Sequence, residues 1–390
     1  MEEIVLYGAG LAGEKFYCRY KDRFRIKYVI DRNCGRLFHG ANVYSFADKK
    51  DELKNEMIIV AAGTPAAYKE ISAVLEENGL EEFKNYRSFE NIDRDLAILY
   101  GNCHFFILEE YLRSNPVFNK QYHLRFHYVA GNDPCPKKVE LEHCKLIISQ
   151  DIQEDNALHR PGAEQLFSCV EEDCIKILVP NLYGYNLFFP QIQRPDRNVA
   201  LKHINSEAIL RKDATAKSQE EYISWISGWR DKNIEDMFEA GGKIDDIVDM
   251  IEHEDVYSAE TILENFDNQI RKLQKREENC DIKISDYILE NYMKCQMLYD
   301  PHHPTREVIL EKGRRILNLL KIEINEAHMT ISRQAMIDGK ELFLYGCVRR
   351  ALKIQYKQQY IRNNKNNSLY NRAMDLKEYV EAYIAWNCAK

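Results

Sequence analysis

An apolar run that leads directly into a glycine-rich loop constrains the fold of this chain most strongly. Residues 4–7 have the composition of a buried β-strand. They are followed by the pattern G-x-G-x-x-G at Gly8, Gly10 and Gly13. In βαβ nucleotide-binding units such glycines allow a tight turn and a close approach of the backbone to a phosphate, which then lies at the N-terminus of the next helix. The pattern predicts the strand, loop and helix that begin a parallel α/β sheet.

The next elements continue this Rossmann-like pattern. A second strand, predicted over residues 26–30, ends at Asp31, and a third is predicted over residues 57–62. The distance from the glycines to Asp31 is close to that at which an acidic residue meets a ribose hydroxyl. Gly8, Gly10, Gly13 and Asp31 are therefore candidate nucleotide-binding residues. The alternative is that the glycines only permit tight packing, because the unit ends near residue 95, about half the length of a complete dinucleotide-binding domain.

This N-terminal segment resembles the small N-terminal domains of sugar acyltransferases and other sugar-modifying enzymes. The matching patterns lie at residues 6–13, 29–31 and 38–44. In some of these relatives the domain holds a nucleotide-sugar, and the resemblance disfavours hydride transfer as the activity.

A second domain is predicted to begin after the polar residues 91–95. Residues 96–100 are typical of a buried strand, and Gly101, Asn102 and Cys103 lie at its carboxyl end, before a helix predicted over residues 104–112. A thiol at a strand-to-helix turn lies at a helix N-terminus, which favours a thiolate and offers amides to an oxyanion. Cys103 is therefore a candidate nucleophile, and the alternative is an inert buried cysteine.

Two further predicted strands end in polar side chains. Residues 145–151 end in Gln150 and Asp151, and residues 174–179 are followed by Asn181 and Tyr183. Ligands of open α/β sheets bind beyond the carboxyl ends of the strands. The amides of Gln150 and Asn181 can donate hydrogen bonds to a developing oxyanion, or they can cap the following turns.

A histidine-containing loop is predicted at residues 299–305. Asp300 can orient the imidazole of His303, which makes His303 a candidate general base. Thr305 is the predicted N-cap of the helix that follows. The alternative is that Asp300 caps a turn and both His302 and His303 are solvated. No metal is predicted, because no third ligand with suitable spacing lies nearby.

Four short blocks, at residues 100–103, 148–152, 179–190 and 303–304, resemble the WcbI-type polysaccharide biosynthesis family over about residues 96–330. That family is linked to coenzyme A binding and acetyl transfer in bacterial capsule synthesis. The resemblance implies coenzyme A or acetyl-coenzyme A as the donor, and Gly101, Asn102, Asp151 and Tyr183 as residues that contact it.

The same order of blocks is similar to that of SGNH-type hydrolases and acyltransferases. There a G-D-S turn, an Asn block and a D-x-x-H block build one site, and residues 101–103, Asn181 and residues 300–303 correspond to them here. Cysteine replaces the serine and asparagine replaces the acid, which disfavours simple ester hydrolysis.

Composition limits the class of protein. A formal net charge of -8 disfavours general nucleic-acid binding. Eleven cysteines without metal-type spacing, and an acidic start in place of a signal peptide, predict free thiols in the cytoplasm. No apolar run reaches the roughly 20 residues that span a bilayer, although peripheral membrane association stays open.

The expected fold class is α/β, with an N-terminal Rossmann-like half domain followed by an α/β domain that has a parallel sheet and a large helical portion. The expected domains are residues 1–95, residues 96–340 with a helical insertion at about 215–300, and a helical tail at 341–390. Within the insertion, Trp225 and Trp229 are expected in the core.

The expected function is a coenzyme A-dependent O-acyltransferase that acetylates a sugar hydroxyl in surface polysaccharide synthesis. Cys103, His303, Asp300, Asn181 and Gln150 are the expected catalytic residues, and the acceptor is a nucleotide-linked or lipid-linked sugar. The alternatives are a glycan esterase or deacetylase, and a non-catalytic module of a glycan-assembly complex.

Overall fold

The computed structural model describes residues 1–130, 133–154, 159–193, 230–331, 342–356, 358 and 375–387. Trp225, Trp229 and part of the predicted tail, chiefly residues 359–374, lie outside these residues. The chain forms two compact units. Unit 1 comprises residues 1–100 and 116–176, and unit 2 comprises residues 101–115 and 177–390. The boundaries between these units differ from the predicted domain boundaries at residues 95 and 340. The predicted domain boundaries stay predictions.

Unit 1 contains a six-stranded sheet in the order β3-β4-β2-β1-β5-β6. Its strands are β1 (Glu2–Tyr7), β2 (Phe24–Ile30), β3 (Leu37–Phe38), β4 (Ala41–Tyr44), β5 (Ile58–Val60) and β6 (Tyr86–Ser88). The pairs β1–β2, β2–β4, β1–β5 and β5–β6 are parallel, and only the short β3 runs antiparallel to its neighbour β4. The helices of this region are α1 (Leu11–Tyr20), α2 (Phe46–Lys49) and α3 (Pro65–Glu77), with 3-10 turns at Leu53–Asn55 and Phe89–Asn91. This is the predicted parallel Rossmann-like sheet.

Two glycines of the loop after β1 are required by packing. Gly8 has a φ of +115°, and a Cβ atom there would lie 2.4 Å from the Ala61 carbonyl oxygen. A Cβ atom at Gly13 would lie 2.3 Å from the Gly8 carbonyl oxygen, whereas one at Gly10 would meet no atom within 4 Å. The packing alternative therefore accounts for Gly8 and Gly13, and nucleotide binding by the loop stays a prediction.

The Asp31 side chain, at the end of β2, hydrogen-bonds to the backbone of this glycine loop. Its Oδ2 accepts the Ala9 amide at 2.7 Å, and its Oδ1 accepts the Asn33 amide at 2.8 Å. The Arg36 guanidinium donates to the carbonyl oxygen of the same residue, Ala9, at 3.1 Å. The carboxylate predicted to meet a ribose thus has a structural task in this chain, and ribose binding by it stays a prediction.

A second sheet has four strands in the order β10-β9-β7-β8. Its strands are β7 (Asp95–Gly101), β8 (Tyr122–Tyr128), β9 (Cys144–Gln150) and β10 (Ile175–Val179). The central pair β7–β9 is parallel, with Tyr100 opposite Ser149. The helices along this part of the chain are α4 (Phe105–Ser114), α5 (Pro116–Gln121), α6 (Lys138–His143) and α7 (Ala163–Ser168). The strands predicted at 96–100, 145–151 and 174–179 are confirmed.

The described part of unit 2 after residue 190 is mainly helical. Its helices are α8 (Lys232–Glu239), α9 (Ile244–His253), α10 (Ala259–Glu277), α11 (Ser285–Asn291), α12 (Arg306–Leu319), α13 (Gly346–Ala351) and α14 (Leu376–Asn387), with a 3-10 turn at Glu326–His328. Two short antiparallel pairs complete it, β11 (Ile192–Gln193) with β12 (Arg230–Asp231), and β13 (Leu298–Asp300) with β14 (His303–Pro304). The apolar faces of α8 to α14 pack into one buried cluster, and the α/β class with a large helical portion is confirmed. None of the helices in the described ranges is long and apolar enough to cross a membrane.

Candidate functional site

Cys103 lies in the turn between β7 and α4, as predicted. The turn is closed locally, because the Asn102 side chain accepts the His104 amide at 3.0 Å and the Phe105 amide donates to the Asn102 carbonyl. Glycine is required at position 101, where a Cβ atom would lie 2.5 Å from the Phe105 ring. Cys103 is half-buried in this turn. Part of its side chain therefore stays accessible to a ligand.

Asp300 and His303 face each other across the β13–β14 pair. The Asp300 side chain is fully buried; its Oδ2 lies 2.7 Å from His303 Nδ1, and its Oδ1 accepts the His302 amide at 2.6 Å. The alternative in which Asp300 caps a turn is thus half right, since one carboxylate oxygen holds the turn and the other holds the imidazole. The alternative of solvated histidines is wrong for His303, whose side chain is only 13% exposed.

Thr305 is the N-cap residue of α12, as predicted, but its side chain makes no capping hydrogen bond. The hydroxyl instead donates to the Gln296 carbonyl at 3.0 Å, and the Thr305 amide donates to Met297. Thr305 therefore ties the start of α12 to the chain before β13, which keeps the His303 turn in place.

His303 Nδ1 lies 2.7 Å from Asp300 Oδ2, and the Cys103 side chain is the second group whose proximity raises the pKa of the His303 ring. Since Nδ1 faces Asp300, Nε2 is the ring nitrogen left for the Cys103 thiol. Burial alone would lower the pKa of His303, but the hydrogen bonds and charges of Asp300 and Cys103 outweigh it and raise the pKa to about 9. The imidazole therefore carries its proton at neutral pH.

The loop after β10 adds Asn181 and Tyr183 to the same site. The Asn102 amide donates to Asn181 Oδ1 at 3.4 Å, and the Tyr183 ring stacks on His302 with a centroid distance of 3.6 Å. The amides of Gly184 and Tyr185 both donate to the Pro301 carbonyl at 2.9 Å. The structure thus brings together residues 101–103, Asn181, Tyr183, Asp300 and His303, all within unit 2.

Two buried residues next to this site, His104 and Lys312, were not predicted from the sequence. His104 is fully buried, and its Nε2 lies 2.6 Å from the His302 carbonyl oxygen, to which it donates. Burial, and then the charge of Lys312, hold the pKa of His104 well below its ordinary value, so the ring is neutral. Lys312 is also fully buried, and its Nζ donates to the Pro180 carbonyl at 2.8 Å.

The sequence contains a signal for each of these residues. His104 directly follows the candidate nucleophile. Lys312 stands four residues from Val308 and four from Ile316, both fully buried, so it interrupts the apolar stripe of α12. A lysine on the core face of a helix is uncommon enough to mark a position for inspection.

Gln150 and Asp151 belong to unit 1, where they end β9. The Gln150 side chain is fully buried, and Asp151 Oδ1 accepts the Gln153 side chain at 2.8 Å. Oxyanion stabilisation by Gln150 and coenzyme A binding by Asp151 stay predictions.

The Cys103, His303 and Asp300 side chains form the series of nucleophile, imidazole and buried carboxylate that is used in nucleophilic catalysis. The carboxylate fixes the ring orientation, and an imidazole in this position is able to exchange a proton with a thiol. No cluster of three or more metal-type ligands occurs among the residues that the structure describes. The chemistry that this arrangement offers is acyl transfer through a sulfur nucleophile or through the imidazole.

Comparison with known proteins agrees with this architecture. The profile of the family described as polysaccharide biosynthesis enzyme WcbI matches residues 96–325, more than half of the chain and the whole stretch from β7 to α12. A search of curated proteins gave no match.

A solved structure, described as native WcbI, a novel polysaccharide biosynthesis enzyme, without a disulfide bond between coenzyme A and a cysteine, is similar in fold. The likeness covers 75% of this chain and 89% of that chain, with 15% sequence identity and a TM-score of 0.51. At this identity the likeness shows the fold alone. With the family profile matched across both strand-end blocks and the histidine hairpin, the chain belongs to the WcbI family of polysaccharide biosynthesis enzymes.

Proposed function

We propose that the chain is a coenzyme A-dependent O-acyltransferase that transfers an acetyl group to a sugar hydroxyl in the cytoplasmic stage of surface polysaccharide synthesis. The acceptor is a nucleotide-linked or lipid-linked sugar. Family membership supports the role in polysaccharide biosynthesis. The observation that carries acyl transfer is the series of Cys103, His303 and Asp300, in which a half-buried thiol meets a protonated imidazole on a buried carboxylate.

Coenzyme A as the donor is supported by the chemistry of Cys103. An imidazolium beside a thiol favours the thiolate, which is the nucleophilic form of cysteine. A thiolate reacts readily with a thioester, because one carbon–sulfur bond is exchanged for another. The similar solved structure is described as lacking a disulfide bond between coenzyme A and a cysteine, so coenzyme A is the molecule named beside a cysteine of that protein. Gly101, Asn102, Asp151 and Tyr183 are the residues that we expect to contact the donor.

The protonated state of His303 favours a route through acyl-Cys103. The Cys103 thiolate attacks the carbonyl carbon of the donor thioester, so a carbon–sulfur bond forms at Cys103 while the bond to the coenzyme A sulfur breaks. His303 gives its proton to the leaving thiolate. The products of this step are acyl-Cys103, the coenzyme A thiol and a neutral His303.

The second step returns the site to its starting state. Neutral His303 accepts the proton of the sugar hydroxyl as the hydroxyl oxygen attacks the acyl carbon. The bond to the Cys103 sulfur breaks, which leaves the ester product, a Cys103 thiolate and a protonated His303. In both steps the Cys103 amide, Asn181 and Gln150 are the proposed donors to the tetrahedral oxyanion.

Intact-mass spectrometry of the full chain incubated with acetyl-coenzyme A tests this function. We expect one added acetyl group, located at Cys103 by peptide mapping, and slower formation of the adduct in His303→Gln. Cys18→Ala is the matched control, because Cys18 is an exposed thiol outside the site, and this variant is expected to be acetylated normally.

Two alternatives, direct transfer without an acyl-cysteine and a protein that does not use coenzyme A, predict different experimental results. Wild-type transfer rates in both Cys103→Ala and Cys103→Ser would exclude the acyl-cysteine and leave His303 as a base for direct transfer. No thermal stabilisation by coenzyme A or acetyl-coenzyme A would overturn the proposal, because a ligand that prefers the folded state must raise the Tm.

A further inference from the structure

Lys312 is a buried charge in a place where an apolar side chain would fit. It lies on the core face of α12 with no exposed surface, one turn from Val308 and one from Ile316. Removing an ammonium from water has a large free-energy cost, and replacing buried charges with apolar residues of similar volume often stabilises a protein. A lysine at this position is therefore not expected to make the folded state more stable than an apolar residue would.

The ammonium acts on the loop that follows β10. It donates to the Pro180 carbonyl at 2.8 Å, and the next residues of that loop make the site contacts. Asn181 meets Asn102, and Tyr183 stacks on His302. The hydrogen bond of Lys312 thus fixes the start of the segment that supports the histidine turn.

The charged groups around Lys312 are consistent with a hydrogen bond to Pro180 as its main interaction. The Glu277 carboxylate is the attractive charge for Lys312, but it is itself held by the Ile284 and Ser285 amides at 2.7 and 3.1 Å. Burial therefore dominates and lowers the pKa of Lys312 to about 7. The same ammonium helps to keep His104 neutral, which preserves the donation from His104 Nε2 to the His302 carbonyl.

We propose that Lys312 is a positioning residue of the Cys103 site, which acts by anchoring the Pro180 carbonyl and so holding Asn181 and Tyr183 against Asn102 and His302. What the site does rests on the proposed function, whereas the positioning itself does not. Lys312 touches none of the reacting atoms, so its effect must pass through this loop and through His302 to its neighbour His303.

The test compares Lys312→Met with wild type in the full chain. Methionine nearly keeps the volume of the side chain, ends one atom short of it, and removes the donor and the charge. We expect a Tm equal to or above that of wild type, together with alkylation of Cys103 by iodoacetamide that is slower by about tenfold. Exposed Cys169 in the same sample is the internal control, and its alkylation rate is expected to stay unchanged.

A second variant separates positioning from general loosening of the core. Leu317→Ala removes a fully buried side chain from the next turn of α12, so it lowers the Tm but leaves the Pro180 carbonyl bonded. We expect Cys103 alkylation at nearly the wild-type rate in this variant. We also expect faster hydrogen exchange at the amides of Gly184 and Tyr185 in Lys312→Met than in Leu317→Ala.

Each outcome decides the proposal. Wild-type alkylation of Cys103 in Lys312→Met would overturn it, as would equal slowing in Leu317→Ala. If Lys312→Met does not fold, Lys312→Gln is measured in its place, and failure of both to fold would make Lys312 a requirement of the core and overturn the proposal. The alkylation comparison needs no coenzyme A, so absence of acyl transfer in wild type would refute the proposed function and leave this test intact.

Discussion

Nδ1 of His303 and Oδ2 of Asp300 lie 2.7 Å apart across a two-strand turn, with the carboxylate fully buried. The second carboxylate oxygen is taken by the His302 amide. Asp300 therefore fixes both the backbone turn and the ring orientation. Cys103 meets an imidazole whose orientation and charge are set by a residue that does not itself contact solvent.

Asp300→Asn is expected to remove the proton from His303 at neutral pH. The pKa of His303 is raised to about 9 against the effect of burial, with the Asp300 hydrogen bond as the first cause of the rise. With a neutral amide in its place, burial dominates, and the pKa should fall to about 6.5 or below. NMR titration of the His303 ring measures this directly, and a pKa still near 9 in the variant would contradict the assigned pairing.

His303 should make stability depend on pH in a defined window. Its pKa in the folded state, about 9, lies above the unfolded value of about 6.5, so the folded state binds this proton more tightly. The contribution, about 3 kcal/mol at most, is complete below pH 6.5 and is lost as pH rises through 9. Denaturant unfolding of wild type and His303→Gln at several pH values should show a difference that shrinks across this window, and a constant difference would refute the linkage.

Asp231 should give the opposite dependence. It is buried under Tyr345, whose hydroxyl lies 2.9 Å from Oδ2, and burial raises the pKa of Asp231 to about 7 despite the hydrogen bonds that it accepts. Stability should therefore fall as pH rises from about 4 to 7, by up to about 4 kcal/mol. Asp231→Asn keeps an acceptor for Tyr345, and we expect it to be more stable than wild type at pH 8 and equal near pH 4.

The matched control for Asp231 is Asp236→Asn, on the helix α8 that Asp231 caps. The Asp236 side chain is 60% exposed and pairs with Lys232 on the surface. Exposed pairs contribute about 0–1 kcal/mol, so this variant should follow the wild-type curve. A gain of stability in Asp236→Asn as large as that in Asp231→Asn would show that net charge, not burial, is the cause.

Gly313→Ala should destabilise the contact between α4 and α12. A Cβ atom at Gly313 would lie 2.3 Å from Cδ1 of Tyr111, whose ring is fully buried. Overpacking of this kind costs about 1–3 kcal/mol, which exceeds the roughly 1 kcal/mol that alanine gains in a helix. Urea unfolding measures the loss. Gly63→Ala, where a Cβ atom meets nothing within 4 Å, should change stability little, and equal losses in both variants would contradict the steric argument.

Asp31→Ala should destabilise the protein whether or not a nucleotide is bound. The change leaves the Ala9 amide, 2.7 Å from Asp31 Oδ2 in wild type, without its acceptor. The expected loss is about 1–3 kcal/mol, seen as a lower Tm without any ligand. Asp22→Ala, at an exposed acid in the same domain, is the control, and an unchanged Tm in Asp31→Ala would mean that the carboxylate is free for another role.

The local elements were predictable because their signals are local. Apolar runs placed β1, β7, β9 and β10 within one or two residues, and the glycine after β7 marked the strand-to-helix turn that carries Cys103. Family blocks then put the candidate residues in order along the chain. The N-cap position of Thr305 was predictable in the same way, but the partner of its hydroxyl was not, because the Gln296 carbonyl that accepts this hydrogen bond is brought close only by folding.

The sequence by itself determined the class of fold, the turn that carries Cys103 and the closeness of Asp300 to His303, because backbone propensity and short spacings act within a few residues. Only the tertiary structure decided that His303 meets Cys103, since about two hundred residues separate them and no periodicity encodes that contact. It also decided the proton on His303, the neutrality of His104 and the task of Lys312. These depend on burial and on charges brought together by folding, and the role that we propose for Gly101-Asn102-Cys103 rests on them.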